Sequence, residues 1–365
     1  MEKVKISPGQ LFVLLVLFEM GTSILRVLAM NAGNDAWISI LLGALGGMAI
    51  FWIYVSLYRR YPELPLTAYS RRIFGRRVGG ALGLLYVLFF IHGAARDLRE
   101  GGELITSSIL DVTPVIAINI IMIISVGYVL ARGIEVLART GQIFLFILVV
   151  LGIISCFLLV FAGVIDFKRL LPVLGNGWGP VIETTLKQTI QFPHEEVVCF
   201  TMVFPHLNRM KTGIRAGFVA VLLSSCVLSF TTALNIAVLG ADIAARATFP
   251  LLNTISLINI GEFIQRLDVI VVLTLIIGDF FKVAIFFYAA VMSIADVFGI
   301  RDYRKLVQPT GIIMLLISIM LSGNFPEQIE EGDILLYSET MLFGVILPCI
   351  LLVTAFMRKR FGADR

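Results

Sequence analysis

The sequence predicts an all-α polytopic membrane protein whose residues 1–365 form a single transmembrane domain. Hydrophobic residues make up 58% of the chain and charged residues only 15%, and the mean hydropathy is +0.95. The apolar residues occur in long runs, and a helix needs about 20 such residues to cross a bilayer. This composition excludes a soluble globular domain.

Charged and turn-rich segments divide the chain into ten predicted spans. These cover residues 9–30, 36–58, 79–105, 114–131, 140–163, 180–203, 213–240, 262–297, 308–322 and 336–357. Residues 249–260 are predicted to form a short helix along the outer surface, and residues 324–333 an acidic loop. The first apolar stretch contains Glu19 and Arg26 and has no small-residue cleavage site, so it is interpreted as a retained span rather than a signal peptide.

The distribution of basic residues predicts the orientation. One side of the membrane receives twenty Lys and Arg residues and the other side three, which puts both termini in the cytoplasm. The Arg-rich loop at residues 59–77 is interpreted as a topology determinant that touches lipid headgroups. Five spans in each half, over residues 1–165 and 178–358, predict an inverted repeat, because an odd number of spans turns the second half over.

Two predicted spans are interrupted at matching positions of the two halves. In the first span, Gly21, Thr22 and Ser23 interrupt a bulky apolar run. Glycine permits an unwound turn, and a helix starting at Ser23 would direct free N–H groups at a carboxylate. A packing patch of small residues is the alternative interpretation.

The sixth span is interrupted more strongly, at residues 191–196. Pro193 removes a backbone donor, and His194, Glu195 and Glu196 place ionisable groups near the middle of the membrane. These groups either contact a ligand or pair with internal cations. A paired set of interrupted helices predicts a transporter-type binding site. No metal site or cofactor is predicted, because the histidines and cysteines lack ligand spacing.

Two further spans carry charges. In the third, the i, i+4 spacing predicts that Arg96 pairs with Glu100 and Arg99 with Glu103. Phe89 and Gly93 lie on the same stripe as Arg96, where the glycine would leave room for a ligand.

In the eighth span, Asp279 and Lys282 are three residues apart and either neutralise each other or provide a protonatable group and a fixed charge. Arg96, Glu100, Asp279 and Lys282 are therefore candidate coupling or structural charges.

The chain resembles the B subunits of bacterial spore germinant receptors, a branch of the amino acid, polyamine and organocation transporter superfamily. The motifs that carry the resemblance are, in chain order, residues 21–25 (GTSIL), 35–39 (DAWIS), 98–100 (LRE) with Glu103, 171–175 (LPVLG) with 179–180 (GP), 192–193 (FP) with Glu195, 204–205 (FP), and 280–282 (FFK).

The resemblance implies a LeuT-type fold with the substrate between spans one, three, six and eight. It implies a sensor of a nutrient, usually an amino acid, that works with a membrane-associated A subunit and a lipoprotein C subunit in the spore inner membrane. The carboxylate of the nutrient would meet Gly21, Thr22 and Ser23. Its side chain would lie against Phe89, Gly93 and the turn of Phe192, Pro193, His194 and Glu195.

The chain departs from the family pattern at four positions, Arg26, Gly101, Leu275 and Asp279. The charged departures leave a polar or charged nutrient open. Two other functions remain alternatives: a proton-coupled amino acid carrier and a nutrient-gated ion channel. An enzyme is not expected, because no nucleophile, base and orienting group occur together. No nucleic-acid partner is expected either.

Overall fold

The computed structural model describes residues 5–24, 26–108, 110, 112–258, 268–321 and 337–360, which are almost entirely helical. The α-helices are α1 (Pro8–Met20), α2 (Ala36–Arg60), α3 (Leu66–Ser108), α4 (Val115–Arg132), α5 (Ile134–Phe161), α6 (Trp178–Thr184), α7 (Met210–Leu239), α8 (Ala241–Arg246), α9 (Pro250–Ser256), α10 (Asp268–Phe298), α11 (Arg304–Met320), α12 (Tyr337–Thr340) and α13 (Leu347–Arg360). The 3-10 helices are Met30–Asp35, Phe167–Leu170, His194–Met202 and Phe204–His206, and the π-helical turns are Thr185–Thr189 and Met341–Ile346.

Seven helical segments of the described ranges are long and apolar enough to cross a membrane. They are Met30–Arg60, Leu66–Ser108, Val115–Arg132, Ile134–Phe161, Met210–Leu239, Val269–Phe298 and Ser338–Arg358. The other three predicted spans contain shorter helices: α1 has 13 residues, the sixth span is divided, and α11 has 17 residues. Nearly all of the predicted spans thus coincide with helix, while the predicted loop at 324–333 lies outside the described residues.

The predicted loop at residues 59–77 is wrong for its second half, because α3 already begins at Leu66. Leu66, Tyr69 and Ile73 are buried and recur at helical spacing, so this part of the chain has an apolar face. A kink at Gly75, with φ 80° and ψ 172°, separates it from the rest of α3. Arg71 ties it to α10 through an ion pair with Asp296 at 2.9 Å.

The packing places α1, α3 and α10 in the middle of the bundle. α3 packs most extensively against α10, and α1 packs against α5, α7 and α10. α5 instead presents apolar side chains outward: Phe146 is 70% exposed and Phe161 is 77% exposed. Such a surface is suited to contact with lipid. The central helices therefore surround the two predicted breaks, and the outer ones shield them from the bilayer.

Candidate ligand-binding site

The first break follows α1 directly. The helix ends at Met20, and residues 21–24 form turns. A Cβ added at Gly21 would lie 3.0 Å from the Lys282 side chain, and one added at Gly278 would lie 3.0 Å from the Gly21 carbonyl oxygen. The break therefore places the backbone of Gly21 directly on one face of α10.

The prediction of a helix starting at Ser23 is wrong. The turns are followed by irregular chain and then by the 3-10 helix Met30–Asp35. Ala29, with φ 58°, and Gly33, with φ 60° and ψ −128°, both have dihedrals that an α-helix cannot contain. Arg26 directs this part of the chain toward α3, where it binds Glu100. No helix dipole is therefore available at Ser23.

The second break lies at residues 190–193 and overlaps the predicted interruption at residues 191–196. α6 and the π-helical turn Thr185–Thr189 end before it, and the 3-10 helix His194–Met202 begins after it. Pro193 has no N–H with which to continue the helical hydrogen bonds, and the Phe192–Pro193 peptide bond is cis. The sixth predicted span is therefore discontinuous.

Glycines of α2 make room for the second break. A Cβ on Gly43 would collide with the Thr189 carbonyl group, and one on Gly47 would collide with the His194 ring. Small residues allow such close helix contacts inside a membrane. This close contact with the second break was not predicted from the sequence, although the i, i+3, i+4 spacing of Gly43, Gly46 and Gly47 puts all three on one helix face.

A buried pair connects the two breaks. His194 Nδ1 lies 2.8 Å from Glu19 Oε1, and His194 Nε2 lies 3.4 Å from Ser225 Oγ on α7. The side chains of Glu19 and His194 are 0% and 3% exposed. Polar groups at this depth are costly unless paired, so the pair holds the end of α1 against the start of the 3-10 helix.

Lys282 of α10 connects both breaks with α3. Its Nζ donates a hydrogen bond to Thr22 Oγ1 at 3.0 Å and forms ion pairs with Glu196 Oε2 at 2.8 Å and Asp97 Oδ1 at 3.5 Å. Arg96 Nη2 lies 3.6 Å from Glu196 Oε1 and 3.9 Å from Asp97 Oδ1. We call these five buried residues (Thr22, Arg96, Asp97, Glu196 and Lys282) the Lys282 cluster.

The predicted pair of Arg96 with Glu100 is wrong. Glu100 instead accepts two hydrogen bonds from Arg26, one from Nε at 2.7 Å and one from Nη2. A two-pronged guanidinium–carboxylate contact is stronger and more directional than a single one, which leaves Arg96 to the Lys282 cluster. The predicted pair of Arg99 with Glu103 is present.

A narrow crevice lies beside the Lys282 cluster. It is lined by Thr22, Glu100, Gly101, Leu104, Ile105, Leu275, Ile276 and Asp279. Asp279 is 3% exposed, and neither of its carboxylate oxygens has a hydrogen-bond partner in the part of the chain that the structure describes. Its predicted neutralisation by Lys282 is not found, because Lys282 Nζ is directed at Glu196, Asp97 and Thr22.

Phe89 and Gly93 lie in an aromatic part of the core. The Phe89 ring stacks on Phe343 with the centroids 4.8 Å apart and the planes inclined by 15°. A Cβ added at Gly93 would lie 2.7 Å from the Phe286 ring, which also contacts Phe18 at a centroid distance of 5.4 Å. Their contact with a nutrient side chain stays a prediction.

The two other predicted residues of the second break contact different elements. Phe192 faces the charges: the Arg26 guanidinium carbon lies 5.4 Å and Lys282 Nζ 5.3 Å from its ring centroid, within cation–π range. Glu195 is buried and faces the last span, where the Thr340 side chain hydrogen-bonds its carboxyl group.

Tyr54 of α2 links this break to the last span as well. Its hydroxyl oxygen lies 3.0 Å from the carbonyl oxygen of Glu195 and 2.6 Å from that of Gly344. A Cβ added at Gly344 would lie 2.6 Å from the Glu195 carbonyl oxygen. The backbone of the 3-10 helix that follows the second break and the π-helical turn Met341–Ile346 are thus in direct contact.

The sequence analysis did not predict the partners of Glu19, Asp97 and Glu196. Each is a carboxylate inside an apolar run, which by itself signals a buried contact because an unpaired charge there costs a few kcal/mol. The contacts join residues 175, 185 and 86 positions apart in the chain. No spacing rule within one helix can identify them.

A model of the family described as spore germination protein matches residues 5–326. The chain belongs to this family. It is 37% identical to the spore germination protein KB of Bacillus subtilis (strain 168) over 361 residues, which cover 99% of this chain and 97% of that protein. It is 24% identical to the spore germination protein YndE of the same organism, over 98% of both chains. The resemblance to germinant receptor B subunits is therefore confirmed.

The fold is similar to that of a solved transporter. The structure of Mhp1, a nucleobase-cation-symport-1 family transporter in a closed conformation with bromovinylhydantoin bound, superimposes with a TM-score of 0.73. The match covers 96% of this chain and 78% of that one at 12% sequence identity. At this identity the likeness shows the fold alone, and it confirms the predicted transporter architecture in its coarse form.

Proposed function

We propose that this chain is the nutrient-binding subunit of a spore germinant receptor and that its nutrient is an amino acid. The meeting of both breaks at Lys282 carries the proposal: Thr22 in the first break and Glu196 just after the second both bind its ammonium group. Matched helix breaks that meet inside a transporter fold are typical of a substrate site. Membership of the spore germination protein family supports a role in germination.

We further propose ten spans in a LeuT-type arrangement of two inverted five-span repeats. The divided sixth span, the short α1 that ends at the first break, and the transporter fold support this arrangement. The excess of basic residues on one side supports cytoplasmic termini. The location would be the spore inner membrane, in contact with lipid on the outer helices.

The amino acid would lie between the two breaks, α3 and α10. Ser23 supports an anion-binding end: it is 1% exposed, and its hydroxyl has no hydrogen-bond partner among the described residues. With Lys282 nearby, Gly21, Thr22 and Ser23 would receive the carboxylate. The Phe192 ring would border the ligand on the other side, on the turn that Pro193, His194 and Glu195 shape.

Sensing would follow from the connections between the breaks. Glu19 and His194 join them at one place, and Lys282 joins them at another. A ligand that binds one arrangement of the breaks better than another shifts the population toward it. The A and C subunits of the receptor would respond to this shift, as the family membership suggests.

A proton-coupled amino acid carrier is the second candidate. The observation that favours it is Asp279, a buried carboxylate without a hydrogen-bond partner in a transporter fold. Acidic groups inside membrane helices often relay protons in transporters. In such a carrier, the nutrient itself would cross the membrane.

Two measurements test the proposal. Spores that lack related receptors but contain this chain should germinate in response to at least one amino acid from a panel that also contains sugars and nucleosides. Deletion of this chain from the same spores should abolish that response. An unchanged response to every compound would overturn the receptor role. Uptake of the active amino acid by the purified chain in proteoliposomes would instead establish the carrier.

A further inference from the structure

We propose that Asp279 is the group that binds the ammonium of the amino acid ligand. This inference rests on the proposed function and assigns one residue of the site to one end of its ligand. It begins from a carboxylate that is 3% exposed, lines the crevice and has no hydrogen-bond partner for either oxygen among the described residues. A buried carboxylate without a partner is among the costliest groups in a protein interior.

The charges around the crevice leave one positive charge missing. Among the described residues, three cations face four carboxylates there: Arg26, Arg96 and Lys282 against Asp97, Glu100, Glu196 and Asp279. The other carboxylates each have a cation within 4 Å: Glu100 has Arg26, and Asp97 and Glu196 have Lys282 and Arg96. The unpaired carboxylate is therefore Asp279, and the ammonium end of a zwitterionic ligand would pair with it locally without changing the net charge of the region.

The space beside Asp279 suits an ammonium group. The crevice is narrow, with room for about one water-sized group. Gly101 of α3 creates part of this geometry, because a Cβ at that position would overlap the Asp279 carboxylate. A primary ammonium group is similar in size to water and donates three hydrogen bonds.

The remaining lining determines the other parts of the ligand. Asp279 and Lys282 are three residues apart on α10 and therefore lie on one face, one turn from each other. Thr22 lies between these two side chains, because it lines the crevice beside Asp279 and accepts a hydrogen bond from Lys282. The ammonium would lie at Asp279, and the carboxylate would lie at Ser23, whose buried hydroxyl has no hydrogen-bond partner among the described residues. Leu104, Ile105, Leu275 and Ile276 make the rest of the crevice lining apolar, so Asp279 and Glu100 are its charged groups.

The test compares isosteric ligands that differ only in the ammonium group. The full chain is purified in detergent, and its thermal unfolding is followed with L-valine or L-leucine and with their α-hydroxy acid isosteres. Ligands that bind the folded state raise the midpoint of unfolding according to their dissociation constants. We expect the wild type to bind at least one amino acid about tenfold or more tightly than its hydroxy acid, as for a charge-assisted hydrogen bond.

Two variants locate this preference. Asp279→Asn should abolish it by weakening the amino acid and leaving the hydroxy acid unchanged, and Gly101→Ala should reduce it by displacing the carboxylate. Glu103→Gln is the matched control, because Glu103 is a buried carboxylate of α3 paired with Arg99 outside the crevice. An undiminished preference in Asp279→Asn would overturn the proposal and favour a protonated Asp279.

The proposed function and this inference can fail separately. If wild-type protein binds amino and hydroxy acids equally, the ammonium site is wrong, whatever the spores do. If spores without the chain germinate normally on all nutrients, the receptor role is wrong even when the purified protein distinguishes the two ligands.

Discussion

The Lys282 cluster and the crevice lie one turn apart on α10, yet they treat charge in opposite ways. In the cluster, Lys282 is 0% exposed and contacts two carboxylates and a hydroxyl. In the crevice, the similarly buried Asp279 has neither an ion pair nor a hydrogen-bond partner among the described residues. The charges of the Lys282 cluster form ion pairs between different segments of the chain, whereas the Asp279 carboxylate of the crevice is unpaired among the described residues.

This difference separates structural from ligand-binding charges more clearly than burial does. Removing one partner of a buried, paired charge leaves the other uncompensated and is strongly destabilising. Removing a carboxylate that has no partner removes a desolvation cost instead. Stability measurements on the two regions should therefore give effects of different size and different sign.

The largest loss of stability is expected for Lys282→Met. Methionine preserves much of the volume but leaves only the more distant Arg96 as a cation for Glu196 and Asp97, so the free energy of unfolding should fall by about 3–5 kcal/mol. Immunoblots of membranes and thermal unfolding in detergent measure this. Lys187→Met is the matched control: its pair with Glu183 is exposed, at 71% and 63%, and should contribute little to stability because solvent screens it. Similar losses of stability in both variants would show that the buried ion pairs of the Lys282 cluster stabilise the fold no more than an exposed pair does.

The second largest effect is expected for Gly21→Leu. The new side chain would meet Lys282 and the Phe18 carbonyl oxygen, both 3.0 Å from an added Cβ, and overpacking of this kind costs about 1–3 kcal/mol. We expect the protein to accumulate in the membrane and the germination response to be lost.

Gly152→Leu is the control for this substitution. Gly152 lies on α5, is exposed, and has no atom within 4 Å of an added Cβ. A normal response of Gly21→Leu spores at wild-type protein levels would remove the first break from the site.

A smaller effect is expected for Glu195→Gln. Glutamine keeps an oxygen for the hydrogen bond with Thr340 but removes the charge at the turn between the second break and the last span. The germination rate should decrease more than in Glu103→Gln, which alters only an i, i+4 pair within α3. Equal and small decreases would make both carboxylates purely structural.

The smallest effect on stability is expected for Asp279→Asn. The change removes a buried charge that has no hydrogen-bond partner, so the free energy of unfolding should stay within about 0.5 kcal/mol of the wild type or increase. Thermal unfolding without ligand measures it. A loss comparable with that of Lys282→Met would mean that Asp279 has a structural partner, and the contrast between the two regions would disappear.

The sequence predicts the helices and the position of the second break because both depend on local chemistry. Apolar runs determine the spans, and Pro193 lacks the N–H that would continue the preceding helix. The helix expected at Ser23 is missing because Arg26 binds Glu100, 74 residues away. That contact depends on how α3 lies beside the first break, which periodicity does not encode.

The charges of the site show the same limit. Arg99 pairs with Glu103 as spacing predicts, because both lie on one helix. Glu100, by contrast, pairs not with Arg96 of its own helix but with Arg26, which belongs to another segment and makes a two-pronged contact. Spacing within a helix identifies the contacts that are possible, and the arrangement of helices selects among them.

The hydroxyl of Tyr54 has a consequence for how the second break and the last span move. It lies within hydrogen-bond distance of two carbonyl oxygens, those of Glu195 and Gly344, but a hydroxyl has only one proton to donate. The two carbonyls therefore compete for it, at 3.0 Å and 2.6 Å. A rearrangement in which the Tyr54 hydroxyl donates to the Glu195 carbonyl oxygen removes the hydrogen bond to the Gly344 carbonyl oxygen. The conformations of the segments that carry Glu195 and Gly344 therefore depend on each other through one exchangeable hydrogen.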